Sequence, residues 1–179
     1  MTLDEFSFSL KAKQALLKDP ALRERLALVA ANAVTVLVKR RVFRDGIAQD
    51  GSLIGKYSTK PAYFGIKTPG VPKLAAKGKT PRAKSSYYAK GGYAEYRQAV
   101  GRQSAKVDLN LSGATFLGVG AGVNGSGLPA FGIKTKEAQE RIEGNELRFD
   151  CVTVTPNEAE RQAGRDAATQ ELKFILGIT

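Results

Sequence analysis

Thr155-Pro156-Asn157-Glu158-Ala159-Glu160-Arg161-Gln162-Ala163-Gly164, running on to Leu176-Gly177, is the stretch from which the fold is read. Thr155 with Glu158 three positions on has the form of a capping box, and Pro156 suits the first helical position because its missing N–H would have no helical acceptor. Ala159, Ala163, Ala167, Leu172 and Leu176 then recur at helical spacing until Gly177 ends the run. The spacing predicts a helix over 156–176. A second start of the same kind stands at Asp19-Pro20, followed by Leu22, Leu26, Val29, Ala33 and Val36 or Leu37, with Leu28, Val34 and Val38 widening the apolar arc. This predicts a helix over 19–44, ending near Asp45-Gly46 with Arg40, Arg41 and Arg44 at the negative end of its dipole.

Between these helices the period changes to two. Val107, Leu109 and Leu111 alternate with Asp108 and Asn110, which predicts a half-buried strand. Phe116–Val123 and Leu128–Ile133 flank Asn124-Gly125-Ser126-Gly127, the composition of a hairpin. Lys136–Ile142 is expected as a short helix capped by Thr135 and stopped near Gly144, and Leu147, Phe149 and Cys151 alternate as a last strand reaching Val154. The expected architecture is α+β: an antiparallel sheet packed against two long helices, in a single domain with its core at 1–50 and 105–179.

Residues 51–105 are read as a basic arm inserted into that core. Of the formal charge of +11, all of it falls between positions 51 and 106, where twelve cations face one anion, Glu95; elsewhere sixteen cations balance sixteen anions. Prolines 61, 69, 72 and 81 and glycines 55, 65, 70, 78, 91 and 92 interrupt the stretch, so by itself it is expected to be mobile, ordered by a neighbouring chain. It holds all six tyrosines, Tyr57, Tyr63, Tyr87, Tyr88, Tyr93 and Tyr96. Tyrosine among cations suits a contact surface, because the ring buries area while the hydroxyl tolerates water. Tyr57, Tyr63, Tyr87, Tyr88 and Tyr93, with Lys77, Lys79, Arg82 and Lys84, are therefore the candidate partner-binding residues.

Composition narrows the chemistry. At 179 residues, 42% hydrophobic and 25% charged, the chain supports one ordinary core. No histidine is present, which removes the commonest general base and metal ligand, and the single cysteine, Cys151, rules out a disulfide framework. No catalytic residues, cofactor or metal ligands are expected, and the chain reads as a non-enzymatic, soluble protein without export signal or membrane contact. Gly51-Ser52-Leu53-Ile54-Gly55-Lys56 approaches a P-loop but is one residue short, offers Tyr57 in place of the magnesium-binding hydroxyl and follows a helix. Gly120-x-Gly122-x-x-Gly125 matches a dinucleotide fingerprint without a helix after it, and is read as a glycine-rich hairpin. The basic arm also admits a second function, non-specific contact with nucleic-acid phosphates. No recognition-helix, RNP or zinc-knuckle motif accompanies it.

Arg41-Val-Phe43-Arg-Asp-Gly46-Ile-Ala-Gln-Asp50-Gly51-Ser-Leu-Ile-Gly-Lys56-Tyr57-Ser58 resembles the signature of tailed-bacteriophage virion-morphogenesis and tail-completion proteins, in which an amphipathic helix ends in Arg and Phe and is followed by Asp-Gly, Tyr-Ser and a lysine-rich stretch. Val107-Asp-Leu-Asn-Leu-Ser-Gly113 is similar to that family's strand and Leu-Thr-Gly turn, with Ser112 in place of threonine, while Ala114-Thr-Phe-Leu departs from the methionine-containing segment that usually follows. The similarity spans roughly 20–176. It implies a ring-forming homo-oligomer at the neck of a virion, assembled in the host cytoplasm. Such a subunit joins the head connector or adaptor to a tail terminator or tail tube, with possible contact to packaged DNA, and carries no active site.

Overall fold

The computed structural model describes residues 3–65, 86–109 and 113–178, and is α+β. Its elements in order are α1 (Leu3–Lys18), α2 (Pro20–Lys39), a π-helical turn (Arg40–Asp45), β1 (Ala62–Gly65), β2 (Ser86–Ala89), α3 (Gly92–Ala99), α4 (Ala114–Gly118), β3 (Val119–Val123), β4 (Pro129–Ile133), α5 (Lys136–Phe149) and α6 (Glu158–Leu176). The strands form two separate two-stranded ribbons, β1–β2 and β3–β4, in place of the single antiparallel sheet expected. The chain divides into two compact units. One comprises residues 1–38, 120–134 and 156–179; the other comprises 39–119 and 135–155.

In the first unit, α2 starts where the sequence places it. The Asp19 carboxylate accepts the Ala21 N–H at 2.9 Å, and the Asp19 carbonyl accepts the first helical bond, from Arg23. Its buried stripe is Leu22, Ala31, Val34 and Val38, so the arc is centred on positions expected only to widen it, and Val36 is 66% exposed. A helix α1, unforeseen in the sequence, precedes it. Helix α6 begins two residues later than expected. Asn157, not Thr155, is its cap: the Asn157 side chain accepts the Glu160 N–H at 2.9 Å, and the Glu160 carboxylate accepts the Asn157 N–H at 2.8 Å. Gly164 lies against α2, where an added Cβ would meet Val34 Cγ2 at 2.8 Å and the Ala30 carbonyl oxygen at 3.2 Å. The glycine thus sets how closely the two helices approach. The expected β3–β4 hairpin is present, its turn closed by the Asn124 carboxamide oxygen, which accepts from the Ser126 and Leu128 N–H groups.

The second unit departs further from expectation. Val107–Leu109 is not a strand: Asp108, which alternation would place in solvent, is buried with Val107 and Leu109. Asn110, Leu111 and Ser112 lie outside the described residues. Ala114–Gly118 is a helical turn, so the expected strand from Phe116 begins only at Val119. Gly118 permits close contact with α5, since a Cβ there would overlap Ala138. Helix α5, capped by the Thr135 hydroxyl as expected, does not stop at Gly144. A glycine within a helix costs only about 1 kcal/mol, and the helix continues to Phe149, ending at Asp150 in the left-handed conformation. The strand expected over 147–154 is therefore half helix, half extended loop. That loop is fastened by Glu146, whose carboxylate accepts from the Thr153 N–H at 2.6 Å and hydroxyl at 2.8 Å. The Arg41 guanidinium, buried, donates to the carbonyls of Ile47, Thr153 and Thr155. Asp50-Gly51 makes the expected tight turn, with Ala48 N–H bonded to the Ser52 carbonyl.

Candidate functional site

The described parts of the basic segment are built into the second unit. Ribbon β1–β2 pairs Ala62 with Ala89, Tyr63 with Tyr88 and Phe64 with Tyr87. Side chains alternate across a ribbon, so Phe64 and Tyr87 share one face and Tyr63 and Tyr88 the other. The first face packs on α3. Phe64 stacks on Tyr96 at 4.7 Å between ring centres, Tyr93 lies 5.9 Å and Tyr87 6.2 Å from Tyr96, and Ala89, Tyr96 and Val100 are buried among them. This aromatic core holds together the described parts of the segment, 51–65 and 86–105. On the opposite face the Tyr63 and Tyr88 rings lie 4.8 Å apart and are 55% and 38% exposed.

Behind α3 sits a buried ionic joint. The Arg97 side chain, 1% exposed, donates to both oxygens of Asp108 at 2.8 and 3.0 Å and, through Nε, to the Gln103 carbonyl at 2.7 Å. Asp108 also accepts from the Gln103 amide at 2.6 Å and from the Tyr57 hydroxyl at 2.9 Å, while its own N–H donates to that hydroxyl oxygen at 3.1 Å. The guanidinium lies 4.5 Å from the Tyr57 ring centre. Burial pushes the Tyr57 and Tyr93 phenols above their ordinary range, and a hydrogen bond to the Glu95 carboxylate does the same for Tyr87. Three of the five tyrosines expected to bind a partner, Tyr57, Tyr87 and Tyr93, therefore serve the fold. Tyr63 and Tyr88 face solvent. Lys77, Lys79, Arg82 and Lys84 lie outside the described residues.

A second feature of this unit was not foreseen. Between α5 and the Asp50 turn lies a cleft of about 720 Å³ whose lining includes Asp50, Glu143, Glu146, Leu147 and Asp150. Cys151 and Val152 also line it. Leu147 is 85% exposed and Val152 47%. The Ser52 hydroxyl and N–H, both donating to the Asp50 carboxylate, hold its pKa below the ordinary value; burial, then the nearby carboxylates, raises that of the Cys151 thiol. A thiol so shifted is a poor nucleophile. Glu143, Glu146 or Leu147, and Asp150 follow at spacings of three and four, which is one helical face. The signal was in the sequence but was hidden once Leu147 and Cys151 were read as strand. Among the described residues no group of three or more His, Cys, Asp or Glu could hold a metal, and no helix is long and apolar enough to cross a membrane.

The chain matches no known family model, no characterised protein and no solved structure.

Proposed function

We propose that this chain is a non-enzymatic structural subunit of a tailed-phage virion, placed in the neck or tail-completion complex and acting as part of an oligomeric ring that joins the head connector to the tail. What carries the reading is the structural role of the residues behind the resemblance. Arg41 ties the end of the long helix to the carbonyls of Ile47, Thr153 and Thr155, Gly46 turns the chain at a φ of +68°, and Tyr57 anchors the next segment to Asp108. Each is a joint that shapes the protein, and none is poised for proton transfer or nucleophilic attack. The surplus of positive charge and the outward pair Tyr63–Tyr88 supply a contact surface suited to acidic faces of other virion proteins.

The test is complementation of a phage lacking this gene. The parent protein should restore infectivity and be found in purified particles; particles that are complete and infectious without it would refute the reading. The same exposed ring pair beside a lysine-rich stretch also fits a binder of single-stranded nucleic acid, in which bases stack on aromatics while cations neutralise phosphates. That alternative requires retention on DNA that falls steeply with salt.

A further inference from the structure

The virion-subunit reading, on which the following rests, needs an acidic surface to receive the basic segment, and one such surface lies on the chain itself. We propose that the cleft between α5 and the Asp50 turn of one copy docks the outer face of ribbon β1–β2 of a second copy, in a directional head-to-tail contact.

The two surfaces match in kind and in charge. The ribbon offers an exposed ring pair, Tyr63 and Tyr88, with exposed Lys60 and Lys90 just beyond the strands. The cleft offers exposed Leu147 and Val152 set among the carboxylates of Asp50, Glu143, Glu146 and Asp150. Arg148, the one cation between Glu143 and Asp150 in the sequence, is turned over the Phe149 ring. Apolar groups at the centre with opposite charges around them are the anatomy of a specific interface.

The contact is between copies and not within one. Ribbon and cleft belong to the same compact unit, yet Tyr63, Tyr88, Leu147 and Val152 all remain exposed, so neither surface covers the other. In this head-to-tail arrangement each copy seats its ribbon in one neighbour and receives the ribbon of another, so repetition builds a ring or a filament, whereas reciprocal exchange between the same two copies would close a two-fold dimer.

Two variants separate this from every other mode of assembly. Tyr63→Ser with Tyr88→Ser disables the ribbon face; Glu143→Lys with Leu147→Lys disables the cleft. All four positions are exposed, so both proteins should melt like the parent. Native mass spectrometry of the parent should show oligomers, and each variant alone should be a monomer. An equimolar mixture should give a one-to-one dimer and nothing larger, because only one intact ribbon meets one intact cleft. The dimer should dissociate as salt is raised. A parent that stays monomeric or stops at a dimer at its highest soluble concentration, or a variant that oligomerises like the parent, would overturn the proposal. Failure here is distinct from failure of the virion reading: particles can incorporate the protein through other contacts, and head-to-tail oligomers can form in a protein that never enters a particle.

Discussion

In the unit of residues 1–38, 120–134 and 156–179, buried positions are mostly small or apolar: Leu22, Ala31, Val34, Val38 and Gly164, with Glu160 buried as half of a capping box. Its ion pairs, Arg25–Glu171, Arg161–Glu158 and Arg165–Glu158, lie at the surface. In the unit of 39–119 and 135–155, Arg41, Arg97, Asp108 and Thr153 are buried alongside Val42, Val107 and Val119. The first unit is held by helix faces and caps, which act over a few residues of sequence. The second has an aromatic core and adds to it buried polar contacts between distant residues, such as Tyr57 with Asp108 and Arg41 with Thr153. Substitutions should therefore be costlier and more specific in the second.

The largest contrast is between two arginines. Arg97→Ala leaves Asp108 buried without its main counter-ion, and should destabilise the protein by about 3–5 kcal/mol in urea unfolding. Arg25→Ala, which removes a surface pair with Glu171, should cost at most about 1 kcal/mol. Equal losses would erase the distinction between the units.

Glycines sharpen it next. Gly92 has a φ of +67°, and an added Cβ would lie 2.5 Å from the Lys60 carbonyl oxygen and 2.6 Å from that of Ser58, both fixed backbone atoms. Gly92→Ala should cost roughly 2–3 kcal/mol from left-handed strain and overlap together. At Gly164 the overlap is smaller, with the Val34 Cγ2 methyl at 2.8 Å and no backbone atom closer than the Ala30 carbonyl oxygen at 3.2 Å. Gly164→Ala should cost about 1 kcal/mol, the low end of overpacking.

A third contrast emerges only in base. The Tyr57 and Tyr93 phenols are raised above 10 by burial, so the folded state holds their protons more tightly than the unfolded chain. That stabilisation is complete below pH 10 and is lost as pH rises through the folded values. Melting temperature should thus fall steeply above pH 10, and Tyr57→Phe, destabilised at neutral pH by loss of the Asp108 bonds, should show a shallower fall. A slope unchanged by Tyr57→Phe would mean that this phenol is not a source of the dependence.

The same division explains what could be read from the chain. The Asp19 and Thr135 caps, the Asp50-Gly51 turn and the Asn124 hairpin are local, and the sequence located all of them, while the buried stripe of α2 lies to one side of the expected one. Alternation misled at Val107–Leu109 because Asp108 is buried as the partner of Arg97, a residue whose role composition cannot reveal. It misled again at 147–154 because helix α5 passes through Gly144. Of the candidate residues, tyrosine enrichment marked the segment that holds ribbon β1–β2 but could not say that Tyr87 turns inward while Tyr63 and Tyr88 turn out, which depends on strand register, nor that Tyr57 and Tyr93 pack around Arg97.

The smallest effect tests the local reading where it slipped by two residues. Thr155 and Asn157 are both good capping types, and Thr155-Pro156 is the stronger pattern on paper, because proline suits the first helical position. The structure gives the cap to Asn157, whose side chain accepts the Glu160 N–H, and leaves the Thr155 side chain exposed while its carbonyl accepts from Arg41. Pro156 then precedes the cap, where its fixed φ steers the chain into the helix without entering it. Asn157→Ala removes the acceptor for one helical N–H and should cost about 1 kcal/mol. Thr155→Ala keeps the carbonyl that Arg41 needs and should change stability by less than about 0.5 kcal/mol. Urea unfolding of the two variants side by side decides the boundary: the reverse order of losses would place the helix start at Thr155.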